Sequence, residues 1–133
     1  MQMRKAGFQG LIAAALALSL GGCARVPAGW RIETGRARVV DDIGERTPRM
    51  QAIEAARLDA RVKLLRYVEA MPASPSNLVG DYVMQDAMVG VRVRSLILSA
   101  RQFATRYHNN GTVEVDMGID PQEAHRVVRE TKP

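Results

Sequence analysis

One cysteine, two histidines and no long apolar run set the first limits on this chain of 133 residues. A lone cysteine cannot close an internal disulfide, so core packing, with or without assembly, must supply the stability. His108 and His125 lack the spacing of a metal site, and His108 falls in an expected turn, where it reads as a solvated residue. Ser74, Ser76, Ser95 and Ser99 have none of the strand–turn–helix context of a nucleophile elbow. Gly111 and Gly118 are wrongly spaced for a phosphate-binding loop. With no catalytic constellation, the chain reads as a non-enzyme, with no cofactor, metal or small-molecule substrate expected. The longest apolar stretch, Leu11 to Leu20, is half the roughly 20 residues that a membrane-spanning helix needs. There is no internal repeat and no low-complexity segment.

That short apolar stretch follows Arg4 and Lys5, and no acidic residue precedes Cys23. A cationic start, an apolar middle and small residues before a cleavage point make an export signal over residues 1–22. The tetrad Leu20-Gly21-Gly22-Cys23 resembles the lipobox of bacterial lipoproteins. The resemblance implies diacylglycerol on the Cys23 sulfur, cleavage just before it, and acylation of the new amino group. A chance cysteine behind an ordinary signal, or a core cysteine, is the plainer alternative. Each buried methylene contributes about 0.8 kcal/mol, and two or more chains make a stable anchor, so membrane lipid is the first expected partner. Ala24 and Arg25 stand where an aspartate resembling the inner-membrane retention signal would be. By that resemblance the expected location is the periplasmic side of the outer membrane.

Residues 23–133 have the length of one domain. Arg4 and Lys5 leave with the signal, which lowers the formal charge from +5 to +3. So small and dispersed a surplus, on an exported chain, argues against nucleic acid and suits an anionic lipid or cell-wall surface.

Residues 23–35 read as the lipidated cysteine and a tether, with Pro27, Gly29 and Gly35 and little periodicity. A periplasmic domain is expected over 36–120, opening with a strand at 36–40 and a polar loop at 41–46. The acidic pair Asp41-Asp42 lacks the spaced oxygens of a calcium loop and reads as a solvated turn. Thr47-Pro48 supplies an N-cap hydroxyl and a first-turn proline, opening a helix that Pro72 stops. Met50, Ile53, Ala56, Ala60, Leu64, Tyr67, Val68 and Met71 form its broad apolar face. Leu58, Val62 and Leu65 point away from the centre of that face, so this helix has two apolar stripes to bury. A second helix or a neighbouring subunit could cover the extra one.

After the breaker-rich residues 71–77, a weaker helix is expected over 78–90. Residues 96–107 read as a strand with a bulge near 99–101. Asn110-Gly111 signals a tight hairpin with positive φ, and Val113, Val115, Met117 and Ile119 alternate along the returning strand. Asp120-Pro121-Gln122-Glu123 resembles an acidic capping box, opening a short terminal helix and tail over 121–133. The sum is an α+β fold, a small antiparallel sheet with one long and one shorter helix packed on one face.

The order of these pieces resembles a family. The lipobox, a strand at 35–40, the run Ala52-Ile53-Glu54-Ala55-Ala56-Arg57-Leu58-Asp59-Ala60-Arg61 and the Asn110-Gly111-Thr112-Val113-Glu114-Val115 hairpin are similar to the approximately twenty-kilodalton bacterial outer-membrane lipoproteins, which include the flagellar lipoprotein FlgP. They are also similar to the N-terminal domain of a flagellar accessory-ring protein. The resemblance covers nearly all of residues 35–120. It implies an α+β domain and a structural role, in some members around the flagellar motor. Two functions are then expected to compete. In the first, a lipid-anchored assembly protein associates with itself or with envelope proteins through Leu58, Val62 and Leu65. In the second, a monomeric module binds peptidoglycan or another anionic envelope ligand through Arg92, Arg94, Arg101 and Arg106, on or near one strand.

Overall fold

The computed structural model describes residues 24–40 and 48–130. The expected signal, Cys23, the polar loop after residue 40 and Thr47 lie outside the described residues. Among the described residues the elements run β1 (Arg31–Arg38), α1 (Pro48–Glu69), α2 (Val79–Gln85), α3 (Ala87–Leu98), β2 (Arg101–Tyr107), β3 (Thr112–Ile119) and α4 (Pro121–Glu130). The fold is α+β. Its sheet is antiparallel in the order β1-β3-β2, so the last strand is the central one.

Strand β3 pairs with β1 on one side and β2 on the other, and its residues alternate cleanly between the two faces. Val113, Val115, Met117 and Ile119 are all buried under the helices, whereas Thr112, Glu114 and Asp116 turn to the other face. Ala52, Ala56, Ala60, Leu64 and Val68 recur every fourth residue along α1 and form its buried stripe. The small side chains let α1 lie close to β1, with Gly35 against the Ala56–Ala60 backbone. Met50, expected on this face, is exposed instead. Helix α1 also closes the outer edge of β1. Asp59 Oδ2 accepts from the Arg36 amide at 2.9 Å, and Lys63 Nζ donates to the Thr34 carbonyl at 2.7 Å. An open strand edge invites pairing with other chains, and these two contacts occupy part of it.

Several boundaries differ from the sequence expectation. Strand β1 starts at Arg31, five residues before the expected strand, because its pairing with β3 begins at Arg31↔Ile119. The tether before it is correspondingly shorter, and it ends in a turn in which the Trp30 amide donates to the Pro27 carbonyl and Gly29 has φ +81°. The weaker helix is two helices, broken at Asp86, whose carboxylate accepts from the Met88 amide and caps α3. Residues 96–98 are helical rather than extended. Val89, Val93, Leu96 and Ile97 are spaced as one helical stripe, and all four are buried.

The bulge falls between Gln102 and Ala104. The extra residue, Phe103, packs edge-to-face on Trp30 at 5.4 Å and, with Ile32, covers Gly118 on the face away from the helices. In the hairpin only Gly111 has positive φ. The Gly111 amide donates to His108 and the His108 amide to Thr112, so the loop has three residues ending in a left-handed glycine. Asp120 caps α4 by accepting from the Gln122 amide at 2.9 Å.

Candidate functional site

The two-stripe character of α1 has a direct structural consequence. One stripe is consumed by the sheet, and α3 crosses beside the other without covering it. Between them runs a groove of about 200 Å³ lined by Leu58, Arg61, Val62 and Leu65 of α1 and by Arg94, Ile97 and Leu98 of α3. Its exposed surface is carbon throughout. Leu65 is half-buried against the core and Ile97 is buried, forming the floor. The walls are open: Leu58 is 62% exposed and Leu98 67%. Exposed apolar side chains are common singly, but an apolar groove walled by two exposed leucines is a feature of interaction surfaces.

The sequence brings Leu58, Val62 and Leu65 together by helical spacing alone. It missed Ile97 and Leu98, because a strand was expected there; the Val89–Val93–Leu96–Ile97 spacing was the available signal. Arg61 was also missed. Its Nε is buried and has no hydrogen-bond partner.

The four arginines expected on or near one strand do not form one patch. Arg92 and Arg94 belong to α3, the segment whose strand expectation fails. Arg92 donates to the Glu130 carbonyl at 2.9 Å, and Arg94 lines the groove. Arg101 opens β2, with its guanidinium 5.4 Å from the Phe103 ring centre. Arg106 lies on the face of the sheet away from the helices and is already engaged. It makes two bonds to Asp116, at 2.5 and 2.8 Å, and one to Glu114 at 3.2 Å.

That outer face carries an ion-pair network around Glu114 and Asp116. Arg36 Nε reaches Glu114 Oε1 at 2.7 Å, His108 Nε2 lies 3.1 Å from Glu114 Oε2, and Thr34 donates to Asp116 at 2.7 Å. Arg36, followed by His108 and Arg106, pushes the Glu114 carboxyl down to about 2. Arg106 holds Asp116 below the ordinary carboxylate range, and the two carboxylates push the Arg106 guanidinium up. With its charge matched by Asp116 and Glu114, Arg106 offers less to an anionic ligand than the sequence suggested.

Among the described residues no group of three His, Cys, Asp or Glu side chains is placed to hold a metal ion. His125 is exposed on α4. Among the same residues no helix is long and apolar enough to cross a membrane. No protein-family model and no curated protein matches the chain.

Proposed function

We propose that this chain is a membrane-anchored structural lipoprotein of the bacterial outer membrane, held through acylated Cys23 and acting on the periplasmic side by assembly. The observation that carries the reading is the open apolar groove between α1 and α3, formed around the side chains Leu58, Val62 and Leu65. The lipobox-like tetrad supports the anchor, and the early start of β1 leaves only residues 24–30 between anchor and sheet. At no more than about 3.6 Å per residue, such a tether holds the groove close to the bilayer, where confinement raises the local concentration of partners. Kinship with the twenty-kilodalton lipoproteins, and the flagellar association that some of them have, belongs to the same proposal.

The test is a photo-cross-linking residue at Val62 in the full chain, expressed in a bacterial envelope. The expected result is adducts in the outer-membrane fraction whose mass is a multiple of this chain or the sum with another envelope protein. Cys23→Ser is expected to remain uncleaved and to leave the membrane fraction, so that any self-adducts move to the soluble fraction. Cross-links to peptidoglycan alone would replace assembly by a monomeric wall-binding module. An unchanged membrane fraction in Cys23→Ser would overturn the anchor.

A further inference from the structure

Residues 24–30 join Cys23 to the first strand, and a turn shortens their reach. The Trp30 amide donates to the Pro27 carbonyl at 3.3 Å, and Gly29 has φ +81°. Extended chain from Cys23 to Pro27 spans at most about 14 Å, and a turn adds less than about 7 Å. Trp30 therefore stands within about 21 Å of an acylated Cys23, and Arg25 within about 7 Å. The headgroup region is itself about 5–7 Å deep on each side of a bilayer, so this end of the domain cannot stand far clear of it.

The sheet face away from the helices changes character along its length. Where β1 begins, Ile32, Gly118 and Arg101 share one row of the register. Ile32 and Phe103 cover Gly118 there, and Trp30 packs edge-to-face on Phe103 at 5.4 Å. Trp30 and Ile32 remain part-exposed, and Val26 in the tether is 43% exposed. About 13 Å farther along β1, at Arg36, the same face is the ion-pair network around Glu114.

The apolar end has cations to spare. Residues 24–32 and 99–113 contain no aspartate or glutamate. Arg25 and Arg101 are exposed, and among the described residues neither meets a carboxylate. The Arg101 guanidinium lies 5.4 Å from the Phe103 ring centre, beside the aromatic pair. Two carboxylates share a cleft with Trp30, and both are engaged: Asp120 caps α4 and Glu123 pairs with Arg126. An indole with an apolar body and a polar N–H suits the membrane interface, and guanidinium groups suit phosphate.

We infer that this end of the sheet rests on the bilayer that holds Cys23, with the Trp30 indole among the headgroups and Arg25 and Arg101 on phospholipid phosphates. The inference rests on the acylated anchor proposed above and adds the orientation that the short tether imposes. The ion-paired half of the face then points away from the bilayer. The α1–α3 groove belongs to the helical layer, on the opposite side of the sheet, and is left to protein partners.

Trp30 is the only tryptophan, so its fluorescence reports the contact directly. The acylated chain, with the lipid on Cys23 verified by mass spectrometry, is reconstituted in vesicles of phosphatidylethanolamine and phosphatidylglycerol. A parallel set of vesicles carries bromine on the acyl chains near the carbonyl. The expected result is that the chain floats with both sets and that Trp30 emission is quenched in the brominated one. Arg25→Glu/Arg101→Glu, checked for its fold by a circular-dichroism melt, should float equally and lose most of the quenching. Arg25→Gln/Arg101→Gln is the milder variant and should lose part of it. Flotation with no quenching of Trp30 would overturn the contact and leave the anchor standing. Equal quenching in wild type and both variants would overturn the phosphate contacts. An acylated chain that does not float, or a chain recovered without lipid on Cys23, would remove the anchor and this inference together.

Discussion

Gly35 lies so close beneath Ala56 that a Cβ added to it would stand 1.8 Å from the Ala56 carbonyl oxygen and 2.5 Å from the Ala60 amide nitrogen. Both neighbours are helix backbone, which cannot move aside as a side-chain tip can. Gly35→Ala should therefore push α1 off β1, at a cost of about 3 kcal/mol, the upper range for overpacking. Urea unfolding of the lipid-free chain measures it. A midpoint equal to wild type would show that the helix sits farther from the strand.

The α1 stripe makes a paired prediction. Leu64 is fully buried, so Leu64→Ala should cost about 2–5 kcal/mol through lost burial and a cavity. Met50 is exposed at the start of the same helix, and Met50→Ala should stay within about 0.5 kcal/mol. Equal losses at the two positions in thermal unfolding would contradict the placement of the stripe.

These two residues also show how far the sequence was legible. Helical spacing placed Ala56, Ala60, Leu64 and Val68 on the core face, and β3 alternation placed all four of its inward residues. Spacing could not say how far around the helix the core extends, and so Met50 was included. In α3 the adjacent Leu96-Ile97-Leu98 suits a strand as well as a buried helix. Only the preceding Val89 and Val93 decide it, being buried in one helical stripe with Leu96 and Ile97. The start of β1 was hidden for another reason: its inward residues, Arg31, Glu33, Gly35 and Ala37, carry no large apolar side chain to announce a strand. The extra stripe of α1 was legible, but the other wall of its groove depended on that α3 assignment.

Acid should weaken the outer face of the sheet. Arg36, His108 and Arg106 lower the Glu114 carboxyl from 4.5 to about 2, so the folded state favours its ionised form. The stabilisation is therefore complete above pH 4.5 and is lost as pH falls through about 2. Stability measured by urea unfolding should decline over this interval in wild type and decline less steeply in Glu114→Gln. Parallel profiles for the two chains would show that Glu114 is not stabilised by these partners.

The central claim is that the α1–α3 groove makes this protein an assembling one, and solution mass tests it most directly. Light scattering over a concentration series, on residues 24–133 without lipid, should show a defined oligomer. Leu58→Asp should reduce it to a monomer without lowering the unfolding midpoint, because Leu58 is exposed in the single chain; Leu65→Asp should do the same at some cost to the core. A wild-type chain that stays monomeric throughout, or an oligomer that Leu58→Asp leaves intact, would contradict the account.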